Sequence, residues 1–541
     1  MSKNNGAFLV GAGIFLSRIA GLLRERAFAH YLGNSEASDA FKAALKIPNF
    51  LQNLFGEGVL SASFIPVYAG LLTRTHNLET KDQTKHLEAT HVASVIGSLL
   101  FLVTAILVIL GVLATPFLID LIAPGFNGPK RELTIKLVQI FFPGTGLVVM
   151  SAWCLGILNS HRHFFLSYAA PVIWNVSIIA ALLIYGQNSS QYDLAIKAGW
   201  GLVLGSFLQV LIQIPTTLKL LKYFKISFDL KNQEVRLILK NFVPGVISRG
   251  VVQISSYIDN ILASLLQSGA VSSLAYAQTL YILPVSLFGM SISASELPEM
   301  SSITGSLSVS KASNEEIYLK LKLRLQRSIQ KISFFIVPSL CAFIFLGDVL
   351  VAALFQTGAF STKDTHVVWV ILIGSSVGLL ASTIGRLYSS TFFSLKDTKT
   401  TLNFAIVRII STSILGYLIA FKLAPLLNID PAYTTAGLTL SSGISGWIEF
   451  ALLRRKLNSI IGKTGINLLN LGKLWICALL SAGLGLFIKF FIFAELIIHP
   501  ILKAGVIFSV FGISYFLLTS MFKIEDSVII VEKILKKLKI K

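Results

Sequence analysis

The sequence is poor in charge, in cysteine and in acidic side chains. Only 13% of its 541 residues are Asp, Glu, Lys or Arg, about half the share of a soluble globular chain. That excludes an ordinary water-soluble domain of this length. Cys154, Cys341 and Cys477 are its three cysteines, far apart and each in an apolar stretch. They form no disulfide framework and no metal-ligand spacing, and read as small buried hydrophobes. No P-loop, G-x-S-x-G elbow, H-E-x-x-H helix or zinc pattern occurs. With no ATP-binding domain, any work is expected to draw on a Na+ or H+ gradient, the membrane potential or substrate asymmetry. A membrane enzyme acting on sugar phosphates would carry clustered acidic metal ligands near one membrane face; the sequence has none. The first apolar segment lacks the plain centre and small-residue cleavage site of a signal peptide, and is expected to be retained.

Apolar residues make up 54% of the chain, and its mean hydropathy is +0.75. Runs near or above the ~20 residues needed to cross hydrocarbon recur throughout. They predict an all-α polytopic membrane protein with about 14 transmembrane helices, near 7–32, 37–73, 89–119, 133–159, 164–186, 193–222, 241–267, 270–300, 329–356, 366–394, 401–424, 434–455, 470–494 and 499–522. Lys and Arg outnumber Asp and Glu by 46 to 26, a formal net charge of +20. In a soluble protein this would suggest nucleic acid. Here the basic residues collect in alternate links, at 223–240, 301–330, 454–456 and the K-I-L-K-K-L-K-I-K tail, so the positive-inside rule accounts for them and places both termini in the cytoplasm. Lys130 and Arg131 are exceptions, falling on the outer side. The tail from Val528 reads either as a basic amphipathic helix on the inner leaflet or as a solvated segment.

Leu54 to Pro66 reads L-F-G-E-G-V-L-S-A-S-F-I-P, and Leu287 to Pro298 echoes it as L-F-G-M-S-I-S-A-S-E-L-P. Six spans separate the copies, so the repeat is parallel: two pseudo-equivalent six-helix lobes plus two C-terminal helices. The expected organisation is an N-terminal lobe over 1–222, a cytoplasmic linker over 223–240, a C-terminal lobe over 241–456, helices 13 and 14 over 457–522, and a basic cytoplasmic tail over 523–541.

The charge that remains inside the spans is concentrated. Residues 17–66 carry Arg18, Arg24, Glu25, Arg26, Asp39, Lys42, Lys46 and Glu57. An ionisable group in a bilayer core costs at least ~2.5–3.5 kcal/mol on insertion scales, so these groups need a shared aqueous cavity or each other. Asp39, Lys42 and Lys46 fall at i, i+3 and i+7, one stripe of a helix. Arg is the forked donor suited to phosphate oxygens. One reading has Arg18 and Arg24 holding a phosphate or pyrophosphate, with Asp39 and Glu57 orienting helices or the basic groups. The other is a set of structural ion pairs, such as Arg24 with Asp39. Elsewhere, Arg249 and Asp259 lie within the seventh span, where Asp259 reads as a cation ligand or a buried structural partner. Glu296 and Glu299 read as interfacial. Arg386 and Arg408 either face the cavity or snorkel, and His161-Arg162-His163 is a cytoplasmic turn with a weak metal signal.

These residues resemble the MurJ (MviN) family, the lipid II flippases of peptidoglycan synthesis within the multidrug/oligosaccharidyl-lipid/polysaccharide exporter superfamily. The resemblance rests on S-R-I-A-G-L-L-R-E at 17–25, S-D-A-F at 38–41, I-P-N-F-L at 47–51 and L-F-G-E-G-V-L-S-A-S-F-I-P-V at 54–67. A-P-G-F at 123–126, G-I-L-N-S-H-R-H-F at 156–164, L-F-Q-T-G-A-F-S at 354–361 and D-T-K-T at 397–400 add to it. It implies a non-enzymatic, two-lobed transporter of the bacterial inner membrane. Such a transporter moves undecaprenyl-pyrophosphate-linked precursor to the periplasmic leaflet by alternating access, with helices 13 and 14 over 457–522 forming its lipid-tail groove. The cavity is cationic, and Arg18, Arg24, Asp39 and Glu25 match family positions. Gln52 and Thr279 stand where the family usually has arginine. Asp259 matches an acidic cation-site position, but Thr412 and Gly416 stand near its expected partners. Lys46, Arg249 and Arg386 are candidates to compensate for the missing charge. The expected partners are lipid II, membrane lipids and the cell-wall synthesis machinery, with no nucleic acid and a monomeric chain. Alternatives are an exporter of another lipid-linked glycan or of drugs, and a non-transporting scaffold for cell-wall enzymes. A net basic cavity counts against cationic drugs.

Overall fold

A computed structural model describes residues 3–55, 57–76, 83–305, 311–465, 468–494, 496 and 498–537. All regular structure among them is helical. The chain forms two compact units, Met1–Ser272 and Ser273–Lys541.

The first unit contains α1 (Lys3–Leu32), α2 (Glu36–Phe55), α3 (Glu57–His76), α4 (Gln83–Ile122), α5 (Gly128–Ser160), α6 (Phe164–Tyr185), α7 (Gln191–Leu221) and α8 (Gln233–Ser264). α5 is central, packing against α7, α2, α4 and α3, while α6 pairs with α1 and α7. One core joins Phe28, Phe41 and Phe141; the Phe41 ring centroid lies 4.6 Å from that of Phe28 and 4.9 Å from that of Phe141. Another gathers Phe64, Tyr68 and Trp153. The outer side of α4 exposes Phe101, Ile109, Leu113 and Phe117, an apolar belt suited to hydrocarbon rather than water.

α9 (Ala270–Pro284) opens the second unit's helices, continuing through a π-helical turn (Val285–Met290) into α10 (Ser291–Thr304). Then come α11 (Lys311–Phe355), α12 (Thr362–Val377), α13 (Leu379–Ser394), α14 (Thr398–Tyr417), the single turn α15 (Ala424–Leu426), α16 (Thr435–Ile461), α17 (Leu468–Phe487), α18 (Pro500–Met521) and α19 (Glu525–Lys537). α16 packs on α14, α12 and α13; α17 and α18 pack on each other and on α11. α12 and α13 bend by 43° at Gly378, where a Cβ would lie 2.4 Å from Gly443 Cα. α19 makes the basic tail helical as far as Lys537, and residues 538–541 of that tail lie outside the described residues.

Ten helices among the described residues are long and apolar enough to cross a membrane, eleven with the bent α12–α13 pair. α1, the α2–α3 pair and α8, parts of which lie outside the described residues, are not among them; counted with these three, the helices match the 14 expected spans. One boundary differs from expectation. The ninth span starts at Lys311 rather than 329, as a 45-residue helix. The described part of the link expected over 301–330 is therefore mostly helical, its Lys and Arg arranged along the first turns of α11. The second span, expected to be interrupted by Pro and Gly, runs through α2 and α3 on either side of Gly56, which lies outside the described residues. In its echo, L-F-G at 287–289 falls inside the π-helical turn.

Candidate functional site

Gly33, with φ +55°, turns the chain from α1 into α2. Glu25 on α1 is buried. Its Oε1 accepts from Arg24 Nη2 at 2.7 Å, and its Oε2 from the Lys42 ammonium on α2. Arg24 lies 4.9 Å from the Trp174 ring centroid and Lys42 4.7 Å from that of Phe28. Burying a lone carboxylate costs several kcal/mol; two cations compensate here and leave the trio with an excess positive charge. Arg24 Nε is buried with no acceptor among the described residues, a situation that costs about 1–3 kcal/mol. The trio therefore has both the charge and a spare donor to receive an anion.

The other expected residues lie along α1, α2, α3, α8 and α9. Arg18 is exposed, six residues before Arg24 and so about 9 Å along the axis. Arg26 is half-buried. Lys46 is half-buried, one turn beyond Lys42, and is attracted by Asp259 of α8. Tyr257 Oη donates to the Lys46 carbonyl at 2.6 Å. Asp259 thus lies within electrostatic reach of a lysine. Gln52 is half-buried further along α2. Glu57 opens α3, but its side chain and that of Arg249 lie outside the described residues. Thr279 belongs to the second unit, where its hydroxyl donates to Ala275 O at 2.9 Å. Among the described residues, no three His, Cys, Asp or Glu side chains form a metal-ligand set, and His161 meets Tyr68 Oη at 3.0 Å.

Arg24 takes Glu25, not Asp39, as its partner. Asp39 is fully buried. Its Oδ2 accepts from Lys130 Nζ and from the Gly269 amide, both at 2.7 Å; its Oδ1 accepts from the Ser272 amide at 2.7 Å, with the Ser272 hydroxyl at 2.8 Å. This carboxylate ties α2 to the start of α5 and to the turn after α8. The turn fits because Gly269 has φ +90° and no side chain: a Cβ there would lie 2.8 Å from Asn34 O. Gly125 of A-P-G-F does the same nearby, where a Cβ would lie 2.0 Å from Ser264 O.

In the second unit, Arg408 pairs with Glu449 at 3.1 Å, whereas Arg386 is exposed. Lys489, the main charge in the thirteenth span, pairs with Asp348 of α11 at 2.6 Å and lies 5.7 Å from the ring centroid of Trp369. The remaining motifs shape turns. Ser361 and Asp364 form a capping box, and Asp397 caps α14 through the Thr400 amide at 3.0 Å.

The family model described as "Lipid II flippase MurJ" matches residues 28–506. This chain belongs to the MurJ lipid II flippase family. A "Probable lipid II flippase MurJ" of Rickettsia prowazekii (strain Madrid E) is 29% identical over 475 residues, covering 86% of this chain and 87% of its own. The "Lipid II flippase MurJ" of Burkholderia cenocepacia is 28% identical over 444 residues, covering 81% and 80%. A solved structure titled "Lipid II flippase MurJ, inward closed conformation" aligns with TM-score 0.74 and 25% identity, over 95% of this chain and 98% of that one. A solved inward-facing MATE family transporter of the MOP superfamily aligns with TM-score 0.62 at 18% identity, over 82% of this chain and 95% of its own, a likeness of fold. The family and fold make this a multi-pass membrane transporter.

Proposed function

We propose that the protein flips lipid II, the undecaprenyl-pyrophosphate-linked peptidoglycan precursor, from the cytoplasmic to the periplasmic leaflet of the inner membrane by alternating access. A pyrophosphate with a sugar–peptide head cannot cross hydrocarbon unaided, whereas its lipid tail can remain there. The head needs a wet, cationic cavity. The observation that carries this reading is the Arg24–Glu25–Lys42 trio, with its excess positive charge and with Arg24 Nε unfilled among the described residues. Arg24 and Arg18 receive the pyrophosphate, Glu25 and Lys42 hold Arg24 in place, and Lys46 with Asp259 extends the polar wall. Asp39 acts at a distance from this trio, closing the outer end of α2.

Both termini are cytoplasmic in this reading. The two outer-loop cations that break the charge asymmetry support it, because both are neutralised: Lys130 by Asp39 at 2.7 Å and Arg131 by Asp120 at 2.8 Å. The lipid tail takes the apolar surface of α17 and α18, and coupling draws on an ion gradient or the membrane potential. The test is complementation of cells depleted of their own lipid II flippase, read as lipid II exposure on the outer leaflet. Rescue by the wild-type chain with loss in Arg24→Ala, at normal membrane insertion, is expected. Rescue by both would remove Arg24 from the mechanism.

A further inference from the structure

The second unit holds a cavity of about 370 Å³ between α10 and the first turns of α11. Lys320, Arg324, Arg327 and Lys331 line it from one helix; their spacing of four, three and four residues puts them on one stripe. Glu296 of α10 lies opposite and binds Arg324 at 2.5 Å, with Glu299 adding a contact at 3.3 Å. Lys320 also meets Glu316 at 2.6 Å, and Lys331 is attracted by Asp526 of α19. Arg327 and Lys331 are exposed at the cavity's edge. Beside the basic stripe, Leu319 and Leu323 are 53% and 48% exposed. Cations in a concavity beside exposed leucines combine a phosphate site with a surface for acyl chains.

We propose that this cavity binds the phosphodiester headgroup of an anionic phospholipid from the inner leaflet. The exposed leucines favour a lipid over free phosphate. Arg327 and Lys331 contact the phosphate first, and Arg324 shares itself between the phosphate and Glu296. The carboxylate therefore opposes the ligand, which gives the proposal a signature that snorkelling side chains lack.

The experiment measures binding of phosphatidylglycerol to the purified full-length protein by native mass spectrometry, with phosphatidylcholine and inorganic phosphate as separate probes. One cation against an anionic headgroup is worth about fivefold, so Arg327→Gln with Lys331→Gln is expected to weaken phosphatidylglycerol by roughly 25-fold. Glu296→Gln is expected to tighten it, although it removes an ion pair. Elution profiles and thermal midpoints in phosphatidylcholine check folding, and Arg327→Gln alone supplies a milder variant. Unchanged phosphatidylglycerol binding in both basic-residue variants would overturn the proposal, as would weaker binding in Glu296→Gln. Binding of inorganic phosphate without phosphatidylglycerol would overturn the lipid assignment.

Discussion

Glu25 and Asp39 are buried carboxylates on consecutive helices, 14 residues apart, yet their surroundings differ in kind. Asp39 is saturated: a lysine, two backbone amides and a nearby hydroxyl occupy both its oxygens. Nothing around it calls for a further ligand. Glu25 is gripped by two cations whose donors exceed what one carboxylate accepts, and Arg24 Nε is left over among the described residues. One carboxylate fastens helices; the other positions a receptor for anions. Buried charge alone does not mark a binding site. The balance of donors and acceptors does.

Removing the receptor should have the largest effect. Arg24→Ala is expected to abolish outer-leaflet exposure of lipid II in the depletion strain. Arg24→Lys keeps the charge but loses the fork, and is expected to recover only part of it. Next is the fastening. Asp39→Asn leaves Lys130 without its carboxylate, and breaking a buried pair destabilises by about 3–5 kcal/mol; thermal unfolding of the purified protein reads this. Combining it with Lys130→Met should give less than the sum of the single losses, because the two residues share one interaction. Gly269→Ala forces a side chain toward Asn34 at φ +90°, and a loss of about 1–3 kcal/mol is expected in the same assay.

The smallest effect lies outside both regions, at the cap of α14. The Thr400 hydroxyl and amide hold the Asp397 carboxyl below the usual carboxylate range. A depressed folded value means that this contribution is present above the ordinary carboxylate pKa and lost as pH falls through the folded one. Asp397→Ala should cost about 1 kcal/mol at neutral pH. The gap between it and wild type should close in acid.

Much of the architecture was legible in the sequence, because apolar runs of spanning length are a local signal. So was the charged block in α1 and α2, since embedded charge is conspicuous against that background. The pairings were not. Lys130 lies 91 residues from Asp39, and Gly269 and Ser272 more than 200, so no local pattern announces them. Lys130 did leave a trace, as a basic residue in a loop that the charge asymmetry predicts to be neutral. The start of α11 escapes a hydropathy reading because its first turns are rich in Lys and Arg, which resemble a loop on that scale. The excess donor on Arg24 depends on side-chain geometry that no spacing rule contains.

The most direct test compares lipid II binding to purified wild type, Arg24→Ala and Asp39→Asn in nanodiscs. Loss of binding in Arg24→Ala with retention in Asp39→Asn is the predicted result. Equal binding by Arg24→Ala and wild type, or loss in Asp39→Asn alone, would contradict the assignment of Glu25's partners as the receptor.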